Sequence, residues 1–337
     1  TALEDRSRKP QVVVGTPSLR WSIDIAAGAG PIGRRWGDWH FARSLAAALE
    51  RLGQWVEIDH PQTRTRSTRS ETDVVLTLRG LERVAPAPGA TTLLWVISHP
   101  DTVTGDEIAE HDAAFAASTT WAARHGATPL LQCTDATRFH PGVGSPGSTS
   151  SPGSAGSPGS PGSAGSWGSG PDVLFVGNAR GGMRPVVAAA RAADVATSVI
   201  GTGWAELGIE AAADRIANTD LPSAYASAGV VLNDHHADMA AEGFVSTRVF
   251  DVLAVGGRLL SDPVVGLDQL LETLGTTLPT WETPHDLARL ARPPYDAWPD
   301  VAARLALAER VVAEHSFDAR AATLLDAALR VRGERRA

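Results

Sequence analysis

The strongest constraint on the fold is a repeated alternation of short apolar runs with segments of helical periodicity. The clearest helical segment carries Phe41, Leu45, Leu49 and Leu52 on one face, between apolar runs on either side. Short buried strands that alternate with helices form parallel sheets with helices on both faces. The sequence therefore predicts an α/β protein built from doubly wound sheets.

The alternation occurs on both sides of a Gly/Ser/Pro-rich tract, which predicts two sheets and two domains. Strands are predicted at 11–15, 55–58, 74–78, 92–97 and 130–132, and then at 173–176, 198–200, 230–232 and 258–260. Helices are predicted at 38–52, 184–193, 222–228, 246–255, 267–274, 301–312 and 316–331. The predicted domains are 1–141 and 171–315, and residues 316–337 form a helix that either packs on its own domain or crosses back to the first.

The tract at 142–170 contains 10 Gly, 10 Ser and 4 Pro, a composition that cannot bury enough apolar surface to order itself. Glycine recurs at every third residue from Gly153 to Gly168, which is also the period of collagen, but the run is short and a triple helix needs three chains in register. The tract is predicted to be a flexible linker or insertion that proteases can cut to leave two stable fragments.

Charge and cysteine content exclude several classes. Thirty Lys and Arg against thirty-eight Asp and Glu give a net charge of −8, which argues against a general nucleic-acid binder. Cys133 is the single cysteine, so neither a disulfide nor a cysteine-based zinc site is expected. No apolar run reaches the roughly 20 residues of a membrane span, and a cytoplasmic location is expected. The arginines at 64, 66 and 69 and those at 330–336 are expected to lie on solvated loops and a frayed tail.

Two loops of the first half are expected to carry chemistry because they follow strands at one sheet edge. Asp38 and His40 open the first helix in the run Trp-Gly-Asp-Trp-His, where Asp38 alone would suit an N-cap. His99 ends the strand at 92–97 and is the best single candidate for a base, although a lone histidine is often structural.

A dinucleotide site is a competing interpretation. Gly28, Gly30 and Gly33 match G-x-G-x-x-G, and Asp59 ends the next strand, where a nicotinamide enzyme places its ribose-binding acid. Gly28 lies thirteen positions after the end of the predicted strand at 11–15, whereas the fingerprint follows its strand directly. A glycine-rich loop that faces a cleft is favoured instead.

In the second half, the turn at 177–184 joins a strand to a helix and contains Arg180 and Arg184, suited to phosphate oxygens. No G-x-x-x-x-G-K-[ST] occurs, which excludes a P-loop ATPase. The run 234–238, Asp-His-His-Ala-Asp, suggests metal ligands, but adjacent loop residues rarely point at one ion, so no metal is expected. Ser246 and Thr247 begin a helix whose hydroxyls and N–H groups could bind an anion. Arg248 and Asp251 share a face there and could also form a local ion pair.

The order and spacing of these loops resemble a known family. The segments 36–42, 94–101, 131–141, 173–178, 201–204, 221–234 and 243–262 together resemble bacterial glycosyltransferases of the GT-B fold, in the CgeB-like, group-1 branch. The resemblance covers most of the chain except the Gly/Ser/Pro tract and the tail. It implies two Rossmann-like domains that face a cleft, with the nucleotide-sugar donor on the second and the acceptor on the first.

The resemblance also implies roles for individual residues. The diphosphate is expected near the 177–184 turn and the start of the 246–255 helix, the base near the Gly201–Trp204 loop, and the ribose at Asp251. The expected donor-binding residues are Gly177, Asn178, Arg180, Arg184, Gly201, Gly203, Trp204, Asn233, Ser246, Thr247, Arg248 and Asp251. The catalytic candidates are His99, Asp38, His40 and Glu242.

Two departures from the family pattern stand out. Group-1 enzymes often carry two glutamates separated by seven residues, whereas eight residues separate Glu242 from Asp251 here. Many relatives hold the diphosphate with an Arg/Lys pair, but the single lysine, Lys9, is far from these loops in sequence. Arginines would have to bind the diphosphate alone.

The expected activity is metal-independent transfer of a sugar from a UDP, GDP or dTDP donor, without a cofactor, to a glycan, lipid-linked or small-molecule acceptor hydroxyl. A non-catalytic nucleotide-sugar-binding or partner-docking module of the same fold is the main alternative. An NAD-dependent oxidoreductase that uses Gly28–Gly33 is the outside one.

Overall fold

The computed structural model describes residues 16–143 and 170–335. The strand predicted at 11–15 and most of the tract at 142–170 lie outside these ranges. The described residues form two parallel sheets with helices on both faces, as the alternation predicts. Within those ranges no helix combines the length and the apolarity needed to cross a bilayer.

The first sheet has six parallel strands in the order β2-β1-β3-β4-β5-β6. Its helices cover both faces, and α1 buries Phe41, Leu45 and Leu49 against it. The elements are β1 (Arg20–Asp24), α1 (Gly37–Arg51), β2 (Trp55–Asp59), β3 (Val74–Arg79), β4 (Thr91–Val96), α2 (Gly105–Ala109), β5 (Ala113–Ala116), α3 (Thr119–His125) and β6 (Thr128–Pro129).

The second sheet has four parallel strands in the order β10-β9-β7-β8. Its elements are β7 (Val173–Val176), α4 (Pro185–Ala192), β8 (Ser198–Ile200), α5 (Leu221–Ser227), β9 (Val230–Asn233), α6 (Ala237–Ala241), α7 (Thr247–Ala254), β10 (Leu259–Ser261), α8 (Val265–Thr273), α9 (Pro284–Leu290), α10 (Val301–Glu314) and α11 (Phe317–Glu334). All four strands predicted in this half are confirmed.

Three strand assignments in the first half were wrong or missing. The strand that opens the described sheet is β1, whose central Ser22 and terminal Asp24 are polar and buried. The Ala-rich β5 was not predicted either. Residues 130–132 form no strand, because the carbonyl groups of Leu130 and Leu131 accept hydrogen bonds from Trp95 and Arg320.

The last two helices belong to different halves of the molecule. Helix α10 packs on α7, whereas α11 packs on α1 and β4, so the chain crosses back to the first sheet. Ser316 is the N-cap of α11, and its hydroxyl accepts from the N–H of Ala319 at 3.4 Å. Phe317, Leu324 and Ala328 of α11 are buried in the same core as α1.

The returning chain runs beside the first crossing. The N–H of Thr134 donates to the carbonyl of His315 at 2.9 Å, and the N–H of Phe317 donates back to Thr134 at 3.0 Å. Arg320 is buried and donates to the Leu131 and Gln132 carbonyls at 2.7 and 3.3 Å. The two connections between the sheets are therefore hydrogen-bonded to each other.

Candidate functional site

The carboxyl ends of the two sheets face each other, and side chains from both halves meet there. His99 follows β4, and its Nδ1 atom lies 3.4 Å from Oδ2 of Asp238 at the start of α6. The His99 ring lies 5.7 Å from that of His236. Ligands of doubly wound sheets bind at this edge, so the shared cleft is the candidate site.

Asp38 lies on the first-half wall of this cleft. It sits in the first turn of α1, whose N-cap is Trp36, so the N-cap interpretation of Asp38 is wrong. Gly80 borders the carboxylate, since a Cβ atom there would lie 3.6 Å from Oδ2 of Asp38, an ordinary contact distance. Burial raises the pKa of Asp38, while the nearby His99 and Arg180 partly oppose this. A carboxylate of raised pKa is suited to accept a proton.

The two histidines predicted in this half are both placed at the cleft. His99 adopts a left-handed backbone with φ of 52°, a conformation that few non-glycine residues take and that turns its ring toward the second half. His40 lies beside Asn218 of the second half, with 3.3 Å between Nδ1 and the amide nitrogen. Burial, Arg138 and Arg43 lower the pKa of His40, which favours the neutral ring at this contact between the halves.

Arg180 is the unpaired cation of the opposite wall. It lies in the turn between β7 and α4 with φ of 54°, and its guanidinium contacts Nε2 of His236. It forms no ion pair with any residue that the structure describes. Burial and the neighbouring Arg184 and Arg248 lower its pKa, so positive charge is concentrated there.

Arg184 and Arg248 flank Phe175, with guanidinium carbons 5.5 and 5.2 Å from its ring centre. Arg184 is paired with the buried Asp234. Arg248 donates to Oδ1 of Asn233 at 2.9 Å and to the Val176 carbonyl. Each is therefore fixed by its own partner.

Asn233 connects the residues of the arginine-bearing wall through hydrogen bonds. It is fully buried, donates to Oγ of Ser261 at 2.9 Å, and accepts from Ser246 and Arg248. Thr247 uses its hydroxyl on Oε1 of Gln132 in the first half. The hydroxyls of Ser246 and Thr247 were expected to be free for an anion, and this expectation is corrected. Both hydroxyls form hydrogen bonds that join α7 to β9 and to the other domain.

The glycine-rich loops around Gly177 and Gly201 pack against each other. Gly201 has φ of 148°, and a Cβ atom there would lie 2.2 Å from the Gly177 carbonyl oxygen. Trp204 is 1% exposed and donates to that same carbonyl at 2.8 Å. The indole of Trp204 is enclosed in the core, and the expected position of a base near the Gly201–Trp204 loop stays a prediction. Asn178 accepts from the N–H of Thr202 at 3.0 Å, and Gly203 has φ of 81°.

Glu242 and Asp251 both turn toward the first domain. Glu242 forms an ion pair with Arg124. Asp251 accepts from Oγ1 of Thr134 at 2.6 Å, and burial raises its pKa to about 7. The predicted Arg248–Asp251 ion pair is absent among the described contacts, because each residue has another partner. Thr134 engages only Oδ1 of this carboxylate, and a ribose contact at Asp251 stays a prediction.

The Asp-His-His-Ala-Asp run is divided among different partners, as its adjacency suggests. Asp234 pairs with Arg184, and Nδ1 of His235 lies 2.7 Å from Oδ1 of Asp262. Within the described ranges, one cluster could hold a cation: ligand atoms of His99, Asp101 and Asp238 lie within 4.8 Å of one another. Asp101 and Asp238 were not predicted as partners, because the cluster forms only when the domains meet.

The glycine fingerprint has a different environment from the one first inferred. Strand β1 ends at Asp24, so Gly28 follows it closely, and the inference that no strand comes shortly before the glycines is wrong. A Cβ atom on Gly33 would lie 1.6 Å from the Gly28 carbonyl oxygen, so the glycines let the loop close on itself. Helix α1 still begins only at Gly37, after the last glycine of the fingerprint.

Asp59 is not free to bind a ribose. Burial alone would raise the pKa of Asp59, but hydrogen bonds from Arg66, Ser22 and Arg69 hold it below its ordinary value. Arg69 also pairs with the buried Asp24, and Arg64 lies 3.9 Å from the same carboxylate. The expectation that the arginines at 64, 66 and 69 lie on solvated loops is thus corrected, because they neutralise buried carboxylates.

Comparisons with known proteins agree with this architecture. The family described as glycosyl transferase-like matches residues 182–326, less than half of the chain. The DNA-modifying enzyme β-glucosyltransferase is 9% identical with a TM-score of 0.50, over 93% of this chain and 99% of its own. The glycotransferase of kitacinnamycin is 12% identical with a TM-score of 0.48, over 93% and 100%. No curated protein matches by sequence.

The family match falls on the half that carries Arg184 and Arg248, and the fold similarity extends over both halves. The resemblance noted from the sequence is therefore confirmed. The chain is a two-domain protein of the GT-B fold, and its second domain has a glycosyl transferase-like sequence.

Proposed function

We propose that the protein is a glycosyltransferase that moves a sugar from a nucleoside-diphosphate donor to an acceptor hydroxyl. The observation that carries the proposal is the placement of Arg180, which lies without an ion-pair partner among the described residues and opposite Asp38. Arg180, which can bind an anionic group, thus faces Asp38, whose carboxylate can accept a proton. The family match over the second half supports sugar transfer.

The arginine wall suits the leaving group. When the bond between the sugar carbon and the diphosphate oxygen breaks, negative charge develops on the nucleoside diphosphate. Arg180 would bind it directly, while Arg184 and Arg248 add fixed positive charge from either side of Phe175. Three guanidinium groups can supply this stabilisation without a metal ion. The β-glucosyltransferase of similar fold has uridine diphosphoglucose as its substrate.

Asp38 would act on the acceptor. Its carboxylate takes the proton of the acceptor hydroxyl as that oxygen bonds to the sugar carbon. The raised pKa of Asp38 makes it a stronger base than an exposed aspartate, and His99 beside it would orient the hydroxyl. A non-catalytic binding module would need the arginines but not this carboxylate, so Asp38 separates the two functions.

Donor binding tests the arginine wall. Thermal shifts with UDP, GDP, dTDP and NAD should show stabilisation by one of the three nucleoside diphosphates, since ligands that bind only the folded state raise its stability. Arg180→Gln should weaken that binding about 10- to 100-fold, the usual effect of losing a charge-assisted hydrogen bond. Arg191→Gln, an exposed arginine on α4, is the matched control. Stabilisation by NAD alone would refute the proposal.

Sugar transfer tests Asp38. With the donor identified, Asp38→Asn should lower the rate of transfer by about 10²–10⁴ while leaving donor affinity unchanged, because the amide cannot accept the proton. The acid limb of the pH–rate profile should disappear in the variant. Unchanged transfer by Asp38→Asn would assign the base elsewhere, and absence of transfer by a donor-binding wild type would favour the binding module.

A further inference from the structure

The loop between β1 and α1 carries arginines that differ from the others of the first half. Nine of the twelve arginines between residues 16 and 143 pair with a carboxylate. The other three are Arg34, Arg35 and Arg43, which form no ion pair with any described residue. Arg34 and Arg43 lie over the ring of Trp39, at 5.9 and 5.8 Å from its centre. The unpaired positive charge of this half is therefore concentrated around one segment.

The same segment exposes apolar side chains. Ile32 is 76% exposed and Trp36 is 40% exposed, and they flank Arg34 and Arg35. Leu81, 53% exposed, follows Gly80 on the same sheet edge. Exposed apolar side chains and neighbouring unpaired cations both find favourable partners at an anionic lipid surface.

The loop is held in place, so Ile32 protrudes from a defined base. The N–H groups of Arg34 and Trp36 donate to the carbonyls of Gly30 and Gly33 at 3.1 and 3.0 Å. The N–H of Ala29 donates to Oε1 of Gln62 at 3.0 Å, which fixes the loop to the segment after β2. An ordered loop with an aliphatic tip and flanking arginines can enter a headgroup layer with little loss of entropy.

We propose that this surface, formed by Ile32, Arg34, Arg35 and Trp36, binds an anionic lipid membrane and thereby presents a membrane-borne acceptor to the cleft. Trp36 precedes Asp38 by two residues, so a surface held at this loop lies next to the proposed base. The chain as a whole is acidic, with a net charge of −8, and gains nothing from an anionic surface except through a local patch. The acceptor part of the proposal rests on the proposed transfer activity, but the lipid-binding surface does not.

Vesicle co-sedimentation without any nucleotide tests the surface directly. The full chain should bind phosphatidylglycerol-containing vesicles and bind pure phosphatidylcholine vesicles much less, with binding that weakens as salt is raised. The double variant Arg34→Gln/Arg35→Gln should reduce the partition coefficient roughly thirtyfold, the ratio expected for two arginines near an anionic surface. Ile32→Ser should reduce it about tenfold through lost apolar insertion.

The matched control removes two exposed arginines that are already paired. Arg20→Gln/Arg83→Gln loses the same formal charge, from ion pairs with Glu71 and Glu110, and should leave vesicle binding unchanged. Equal binding to both vesicle types, or equal loss in the control, would overturn the proposal. So would stabilisation by inorganic pyrophosphate that depends on Arg34 and Arg35 without vesicle binding, since it would indicate a soluble anion. Because donor binding is measured separately, failure of the proposed function would be recognised independently.

Discussion

At the scale of single residues, the cleft separates side chains that hold the structure from those that face a ligand. Arg184 and Arg180 are four residues apart, yet Arg184 is bound to a buried carboxylate and Arg180 is not. Loss of Arg184 would leave Asp234 buried without its counter-ion, so its removal acts first on stability. Arg180, and not Arg184, can therefore report on donor binding without a large change in folding.

Asp251 gives a prediction about pH. Its pKa is raised from 3.8 to about 7, so the folded state holds this proton more tightly than the unfolded state. The stability that protonation contributes is present in acid and is lost as pH rises toward neutrality. In Asp251→Asn the amide oxygen can still accept the hydrogen bond from Thr134, and the loss of stability with rising pH disappears because the amide does not titrate. Near about pH 8 the variant should be more stable than the wild type, on the order of 2 kcal/mol by urea unfolding.

The control for this measurement is Asp326→Asn, an exposed carboxylate on α11. It should leave the difference between acid and neutral stability unchanged. If Asp251→Asn showed the same pH dependence as the wild type, Asp251 would not be the group that titrates. If it were less stable at every pH, the hydrogen bond to Thr134 would matter more than the charge.

The cleft residues were predictable as a set but not in their individual contacts. Loops that follow strands identify Asp38, His99 and Arg180, because parallel sheets gather such loops at one edge. The partners of Asp251 and Trp204 were not predictable. Thr134 lies far from Asp251 in sequence, and the indole of Trp204 bonds to the carbonyl of Gly177, which is also distant in sequence.

At the scale of elements, the strands that the sequence analysis missed are those whose residues are polar or small. Strand β1 was missed because Ser22 and Asp24 are polar, and their burial depends on Arg69 from a later segment. Strand β5 was missed because its alanines carry little apolar signal. Strands β3, β4 and β7 were identified because their β-branched and leucine residues are buried on both faces.

Helix α11 is predicted to stabilise the first domain although it follows the second in sequence. Leu324 is fully buried in the core shared with α1. Leu324→Ala should lower the free energy of unfolding by about 3 kcal/mol and increase hydrogen exchange mainly in residues 16–143. Leu305→Ala, at a position 38% exposed on α10, is the control and should cost below about 0.5 kcal/mol. Exchange increased mainly around β7–β10 would contradict the assignment.

At the scale of the whole molecule, the chain order and the domains do not coincide. A protease cut between residues 144 and 169 leaves α11 covalently joined to the second sheet, while its buried face packs on the first. The two fragments should therefore remain associated and elute together in gel filtration under native conditions. They should separate only in denaturant. Separation in native buffer would mean that α11 detaches readily from α1.

The paired connections also determine how the domains can move. Residues around Thr134 and around Ser316 cross between the sheets side by side, with hydrogen bonds at 2.9 and 3.0 Å between them. Two adjoining connections can bend together about one line, whereas sliding or twisting of one domain against the other would break the hydrogen bonds between them. We therefore expect the cleft to open mainly by hinge bending about the line of these two connections. Such a hinge would return Arg180 and Asp38 to the same alignment each time the cleft closes.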